Sequence, residues 1–313
     1  MMKLTLAENF RALFYAPFYA MQALGLAERE GVQLEWLPPG APGAALDAVK
    51  RGTVDLAWGG PMRVMKDHDT TPADGSSLLC FGEVVSRDPF CLVGTPHATP
   101  FDLRNLPGLR LGVVSEVPTP WYCLQADLRD AGCDMEALRA SPRVVTGLTM
   151  DEQLRALRDA TLDVAQCFEP FTSRALAAGA RLLYAASDRG PTVYTTLICS
   201  RDGLARNHDA FAALDRAVQA LLDWIAAHGS AGLASLTMPF FPASAPALVR
   251  ASVERYCAAR IWGRSAAVSR AGFERLAHSL HVGGFVSRNM TYAECVHPFG
   301  EIAPGATKAP ARA

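Results

Sequence analysis

The chain has 313 residues, half of them hydrophobic and 19% charged, with a formal net charge of −1. That balance suits one large core or two modest ones and excludes the basic surplus of a nucleic-acid binder. No run of about 18 apolar residues occurs, so no membrane insertion is expected.

In chain order, LTLA (4–7) reads as a strand and residues 12–31 as a helix punctuated by Gly25 and Gly31. VQLEWL (32–37) is a strand, ALDAVKRG (45–52) a helix and VDLAWG (54–59) a strand. The second half repeats the order: strand 110–114, helix 121–132, strand 144–147, helix 150–160, strand 162–168. Alternating strands and helices predict parallel sheets flanked by helices. An internal repeat supports two such units: LDAVKRGTVDLA (46–57) is matched by LRALRDATLDVA (154–165). Apolar strands at 89–94 and 193–200 flank the second unit and read as crossings between lobes. The expected lobes are therefore residues 1–91 plus 193–313, and residues 92–192. Residues 204–285 read as mostly helical, 211–229 most clearly, with a break at 238–246. The Ala/Pro/Gly-rich tail after Ile302 is expected to be disordered.

Open parallel sheets take ligands beyond the carboxyl ends of their strands, and that rule nominates four loops. The first carries Asn9 and Phe10 beside Glu8, with Tyr15 on the following helix as an aromatic that reaches the cleft. The second carries Trp58, Gly59, Gly60 and Arg63. Trp58 either stacks on a planar ligand or belongs to the core; the glycines offer bare backbone amides or simply turn the chain. Arg63 either clamps an anion or is a surface arginine. The third loop carries Ser115, Glu116 and Thr119 before a helix start, an anion cradle or an ordinary cap. The fourth carries Glu169 between Phe168 and Pro170. A carboxylate in such apolar company must meet a structural arginine or a ligand N–H.

Glycine-rich phosphate loops, the GxSxG serine motif and HExxH are absent from the sequence. His278 and His281 share a helix face with no ligating partner nearby in sequence, and no metal is expected. Eight scattered cysteines without a CxxC spacing predict free thiols in a reducing compartment. Cys167 is either a nucleophile or an inert thiol. The amino terminus lacks a basic start followed by an apolar run, so a cytoplasmic location is expected unless an export segment has been removed.

The order and spacing of residues 6–35, the Asp-Leu-Ala element ending at Ala57, DPFCLVG (88–94), DLRNLPGLRLGVV (102–114) and LDVAQCFEP (162–170) resemble the type 2 periplasmic-binding-protein fold. Within it the chain is similar to the nitrate, taurine and alkanesulfonate solute-binding proteins and the thiamine-pyrimidine synthases of yeasts, from about residue 3 to about residue 230. The resemblance implies a two-lobed α/β protein, each lobe a mostly parallel sheet, with a ligand cleft between the lobes. It implies a small planar or anionic organic ligand, such as a pyrimidine-like heterocycle or an organic acid, and an ABC-importer permease as partner. Glu169 stands where pyrimidine-binding members contact a ring nitrogen or amine. Asn9 and Phe10 stand where those members place a tryptophan or similar group. The yeast-type synthase needs a lysine and a histidine where this chain has Gly59 and Arg63, and its cysteine cluster is replaced by residues 190–193. Those departures argue against synthase activity, and no cofactor is expected. The alternative on the same fold is a cytosolic, cofactor-independent decarboxylase or lyase acting on an aromatic acid, with Glu169 or Glu116 as proton donor.

Overall fold

The acidic residues of the two repeat copies, Asp55 and Asp163, hold equivalent places in two separate sheets. The computed structural model describes residues 1–40, 43–71, 78–95 and 101–299, so the tail after Ile302 lies outside the described residues. Its strands are β1 (Met2–Ala7), β2 (Val32–Leu37), β3 (Leu56–Gly59), β4 (Leu78–Val85), β5 (Cys91–Gly94), β6 (Leu111–Gly112), β7 (Val144–Val145), β8 (Val164–Cys167), β9 (Arg181–Ala185) and β10 (Thr195–Ser200). They form two five-stranded sheets, ordered β2-β1-β3-β10-β4 and β7-β6-β8-β5-β9.

In the first sheet Leu6 pairs with Leu56, and in the second Leu111 pairs with Val164, both in parallel. One residue upstream, Asp55 accepts from the Thr5 N–H at 2.8 Å and the Thr5 hydroxyl at 2.9 Å. Asp163 accepts from the Arg110 N–H at 2.7 Å and from the Arg110 guanidinium. Each aspartate therefore pins the start of its strand to the neighbouring strand, which explains why the same short element occurs twice.

The sheets are less parallel than the alternation of elements predicted. β10 runs antiparallel to both β3 and β4, and β5 runs antiparallel to both β8 and β9. Both strands enter their sheet from the other lobe, so they arrive against the direction set by the local strand-helix-strand units. The chain crosses between sheets after Val85 and returns after Ala185. Arg189 bridges the two crossings, with Nη1 3.0 Å from Asp88 and Nε 2.7 Å from Asp127.

The helices are α1 (Ala16–Ala23), α2 (Leu26–Arg29), α3 (Ala44–Lys50), α4 (Met62–Thr70), α5 (Thr119–Asp130), α6 (Met135–Ala140), α7 (Met150–Arg158), α8 (Phe171–Ala177), α9 (Arg201–Thr237), α10 (Pro246–Ala258), α11 (Arg270–Val282) and α12 (Tyr292–Cys295). Gly25 separates α1 from α2 in the left-handed region at φ 61°, as its place in the sequence predicted. Thr149 and Glu152 form a reciprocal capping box that starts α7. Helix α9 kinks at Gly229, φ 64°, where the amphipathic run ends.

The carboxy-terminal helices tie the lobes together on two sides. From α10, Arg255 and Ser252 reach Glu169 at the end of β8. At the end of α11, the carbonyls of Val282 and Gly283 accept from Arg129 on α5 and Arg139 on α6.

Candidate functional site

Between the lobes lies a cavity of about 30 Å³. From the first lobe it is lined by Asn9 and Phe10 beyond β1, Phe14 and Tyr15 in the following 3-10 turn, Gly60 beyond β3, Met62 and Arg63 at the start of α4, and Tyr194 before β10. From the second lobe come Val117, Pro118 and Thr119, where α5 begins. The space admits one or two waters, so an organic ligand enters only as the lobes part. Its position beyond the carboxyl ends of β1 and β3 is the one the strand rule nominated.

Two helices start at this cavity, one from each lobe. Neither Pro61 before α4 nor Pro118 before α5 caps its helix with a side chain. The first N–H groups of a helix lack partners within it, and the backbone dipoles place positive potential there. Arg63 adds a full positive charge, and it has no carboxylate within 4.0 Å among the described residues. Among the described residues nothing acidic lines the cavity to oppose it.

The walls are aromatic with polar points. Phe10 meets Phe14 and Tyr15 edge-on, at centroid separations of 5.9 and 5.2 Å. Burial pushes the Tyr15 phenol upward; Asn9 and the positive charge of Arg63 pull it only part of the way back. Burial also raises Tyr194 well above the usual phenol range. Both phenols therefore keep their protons at neutral pH and stand as hydrogen-bond donors. Asn9 Oδ1 and the Tyr194 hydroxyl are buried and find no hydrogen-bond partner among the described residues. Buried polar atoms are nearly always satisfied, so this pair leaves unused hydrogen-bonding capacity at the cavity.

Of the residues nominated from sequence, Asn9, Phe10, Tyr15, Gly60, Arg63 and Thr119 meet at the cavity. Five others do not line it. Trp58 is fully buried and stacks on Phe18, with centroids 4.6 Å apart and planes 6° apart, so its ring is committed to the core. Gly59 lies within β3, its Cα facing Ile198 and the Asn9 amide. Ser115 donates to the Leu148 carbonyl at 3.1 Å, and Glu116 accepts from the Met150 N–H at 3.1 Å; both are engaged at the start of α7.

Glu169 is the main correction. Its carboxylate is buried, but it accepts from Arg255 at 2.7 Å, Ser252 at 3.1 Å and the Ser173 N–H at 3.0 Å. All of these partners are supplied by the protein, so the buried charge is already compensated without a ligand. Cys167 is buried, with burial pushing its thiol up to about 12, and its sulfur lies 3.5 Å from the Thr172 hydroxyl; it is an inert thiol.

The site also recruits residues that the nominations passed over: Phe14, Met62, Val117, Pro118 and Tyr194. Val117, Pro118 and Met62 lie in nominated loops, and only their ordinary apolar character hid them. Tyr194 lies in the returning crossing, and its place beside the site follows from β10 inserting next to β3.

The family model described as NMT1/THI5 like matches residues 14–231 of the chain. YtlA of Bacillus subtilis (strain 168), provisionally described as a binding protein, is 20% identical over 304 residues, covering 94% of this chain and 87% of YtlA. The periplasmic aliphatic sulphonate binding protein SsuA from Escherichia coli superposes with a TM-score of 0.73 at 14% identity, covering 93% of this chain and 95% of SsuA. The desulfurization enzyme DSZB superposes with a TM-score of 0.62 at 14% identity, covering 95% of this chain and 97% of DSZB. These likenesses establish the periplasmic-binding-protein fold.

Proposed function

The chain belongs to the NMT1/THI5-like family, and from that premise we propose that it is a solute-binding protein of the ABC-import type whose lobes close over a small planar organic anion. The observation that carries the reading is Arg63: a cation without a carboxylate partner among the described residues, set at the start of α4 and facing the start of α5 across the cavity. Arg63 and the helix starts favour an anionic group such as a carboxylate or sulfonate. The rings of Phe10, Phe14, Tyr15 and Tyr194 favour a flat body, and Asn9 and the two phenols supply hydrogen bonds to its edge. The name of E. coli SsuA, an aliphatic sulphonate binding protein, supports an anion, and the likeness to the ligand binding component of an ABC-type import system from Staphylococcus aureus supports an importer permease as partner.

The enzymatic alternative assigned proton donation to Glu169 or Glu116. Glu169 is held by Arg255, and Glu116 is engaged at α7. The described lining contains no histidine, cysteine, lysine or carboxylic acid, the groups best placed to transfer a proton near neutral pH. Binding without chemistry is therefore favoured. Eight free thiols suit a reducing compartment; in the cytoplasm the chain would bind its anion without a permease, whereas delivery to an importer requires it outside, and cell fractionation separates the two.

The test is calorimetric titration with aromatic and heteroaromatic carboxylates, pyrimidines and alkanesulfonates. We expect the planar acids to bind and uncharged pyrimidines of the same size to bind far more weakly. A preference for uncharged ligands would overturn the reading.

A further inference from the structure

A second cavity, of about 470 Å³, lies on the first lobe beside the crossings and shares no lining residue with the interlobe site. Its wall includes Glu83, a glutamate on β4 whose side chain is almost wholly buried. One oxygen of Glu83 accepts from the Ser269 N–H at 2.6 Å. The other, Oε1, is buried without a hydrogen-bond partner among the described residues. Around the same cavity stand Arg87, Arg260 and Arg264, none with a carboxylate within 4.0 Å among the described residues. Leu222 and Ile225 from α9 form an apolar wall. The cavity's size falls in the range that holds small molecules.

These features make complementary demands on an occupant. A buried carboxyl with one unpartnered oxygen calls for a polar partner, and an ammonium group meets that demand by displacing the carboxyl's proton and donating to the carboxylate it leaves. Unpaired guanidiniums call for a carboxylate or phosphate. The apolar wall calls for a short hydrocarbon stem between them. We propose that this cavity is a second ligand site for a small zwitterion of the amino-acid class, its ammonium group on Glu83 and its carboxylate on the arginines.

Glu83, Arg87, Arg260, Arg264 and Cys257 are the titratable side chains lining the cavity among the described residues. Burial pushes the Glu83 carboxyl up to about 8, so it carries a proton at neutral pH. An ammonium group arriving beside it favours the carboxylate, so binding releases that proton to solvent.

The experiment is calorimetry of the full chain at neutral pH with the standard L-amino acids, β-alanine and γ-aminobutyrate, in buffers of different ionisation enthalpy. At least one is expected to bind with release of close to one proton. Both Glu83→Gln and Arg264→Ala are expected to weaken it by about tenfold or more, while Arg63→Ala leaves it unchanged. Arg264 is exposed, so its variant serves even if the change at Glu83 impairs folding. Absence of binding overturns the proposal, as does binding that ignores Arg264→Ala or a folded Glu83→Gln. Loss of binding in Arg63→Ala instead assigns the amino acid to the interlobe cavity. The planar-acid titration is independent of all these outcomes.

Discussion

Arg255 Nε lies 2.7 Å from Glu169 Oε1, and the two residues approach from opposite sides of the lobe boundary. Glu169 ends β8 of the second sheet, while Arg255 sits on α10, which packs on α9. Tyr256 strengthens the join: its hydroxyl oxygen accepts from the Glu169 N–H at 2.8 Å. This contact is a clamp between lobes rather than a ligand contact.

Removing the arginine strands a buried charge. We expect Arg255→Ala to lower stability by about 2–4 kcal/mol, less than the full penalty for a buried pair because Ser252 and Ser173 still donate and Arg255 is partly exposed. Adding Glu169→Gln to that variant removes the charge and recovers part of the loss. Urea denaturation of the two single variants and the double variant checks this. A double variant no more stable than Arg255→Ala would show that the charge itself is not what costs stability.

Arg63 should behave in the opposite way. It has no ion pair among the described residues, so Arg63→Ala is expected to change stability by less than about 1 kcal/mol. Loss of a charged hydrogen bond to a bound organic anion costs about 1.5–3 kcal/mol, roughly tenfold to more than a hundredfold in affinity. Thermal melts and calorimetry on the same preparations separate the two effects.

The two repeat aspartates should prove equivalent. Asp55→Ala leaves the Thr5 N–H and hydroxyl without their acceptor, and Asp163→Ala does the same to the Arg110 N–H. Each is expected to cost about 1–3 kcal/mol. Hydrogen exchange should show faster opening mainly in β1 and β3 for the first variant and in β6 and β8 for the second. Equal acceleration throughout both sheets would refute a local pinning role.

Glu83 gives a pH dependence of defined sign. Its carboxyl is raised from the ordinary glutamate value to about 8 in the folded chain, so the folded state holds a proton that the unfolded state releases. That contribution is full below the unfolded value, about 4.3, and is lost as pH rises through about 8. Stability of the wild type should therefore fall relative to Glu83→Gln across this window, by at most about 1.4 kcal/mol per pH unit. Parallel stability curves for the two proteins would show that Glu83 does not hold its proton on folding.

Much of the fold was legible in the chain. VQLEWL became β2 residue for residue, and the helix expected from residue 150 begins at Met150. Three of the four nominated loops reached the site because strand ends and helix starts are local features. The two antiparallel crossing strands were not legible, since a strand's direction within a sheet depends on where the chain re-enters it. Trp58 and Glu169 were left with two readings each for a related reason: whether an aromatic is core, or a carboxylate paired, depends on residues far away in sequence.

The sequence by itself determined two duplicated α/β units, the aspartate element repeated in both and the loops from which Arg63 and Thr119 reach the cleft. Those follow from periodicity and capping, which act within a few residues. Only the tertiary structure decided that Glu169 belongs to Arg255, that Trp58 belongs to Phe18, and that Tyr194 belongs to the site. Burial and charge pairing are settled by which distant segments pack together, and 86 positions separate Glu169 from its arginine.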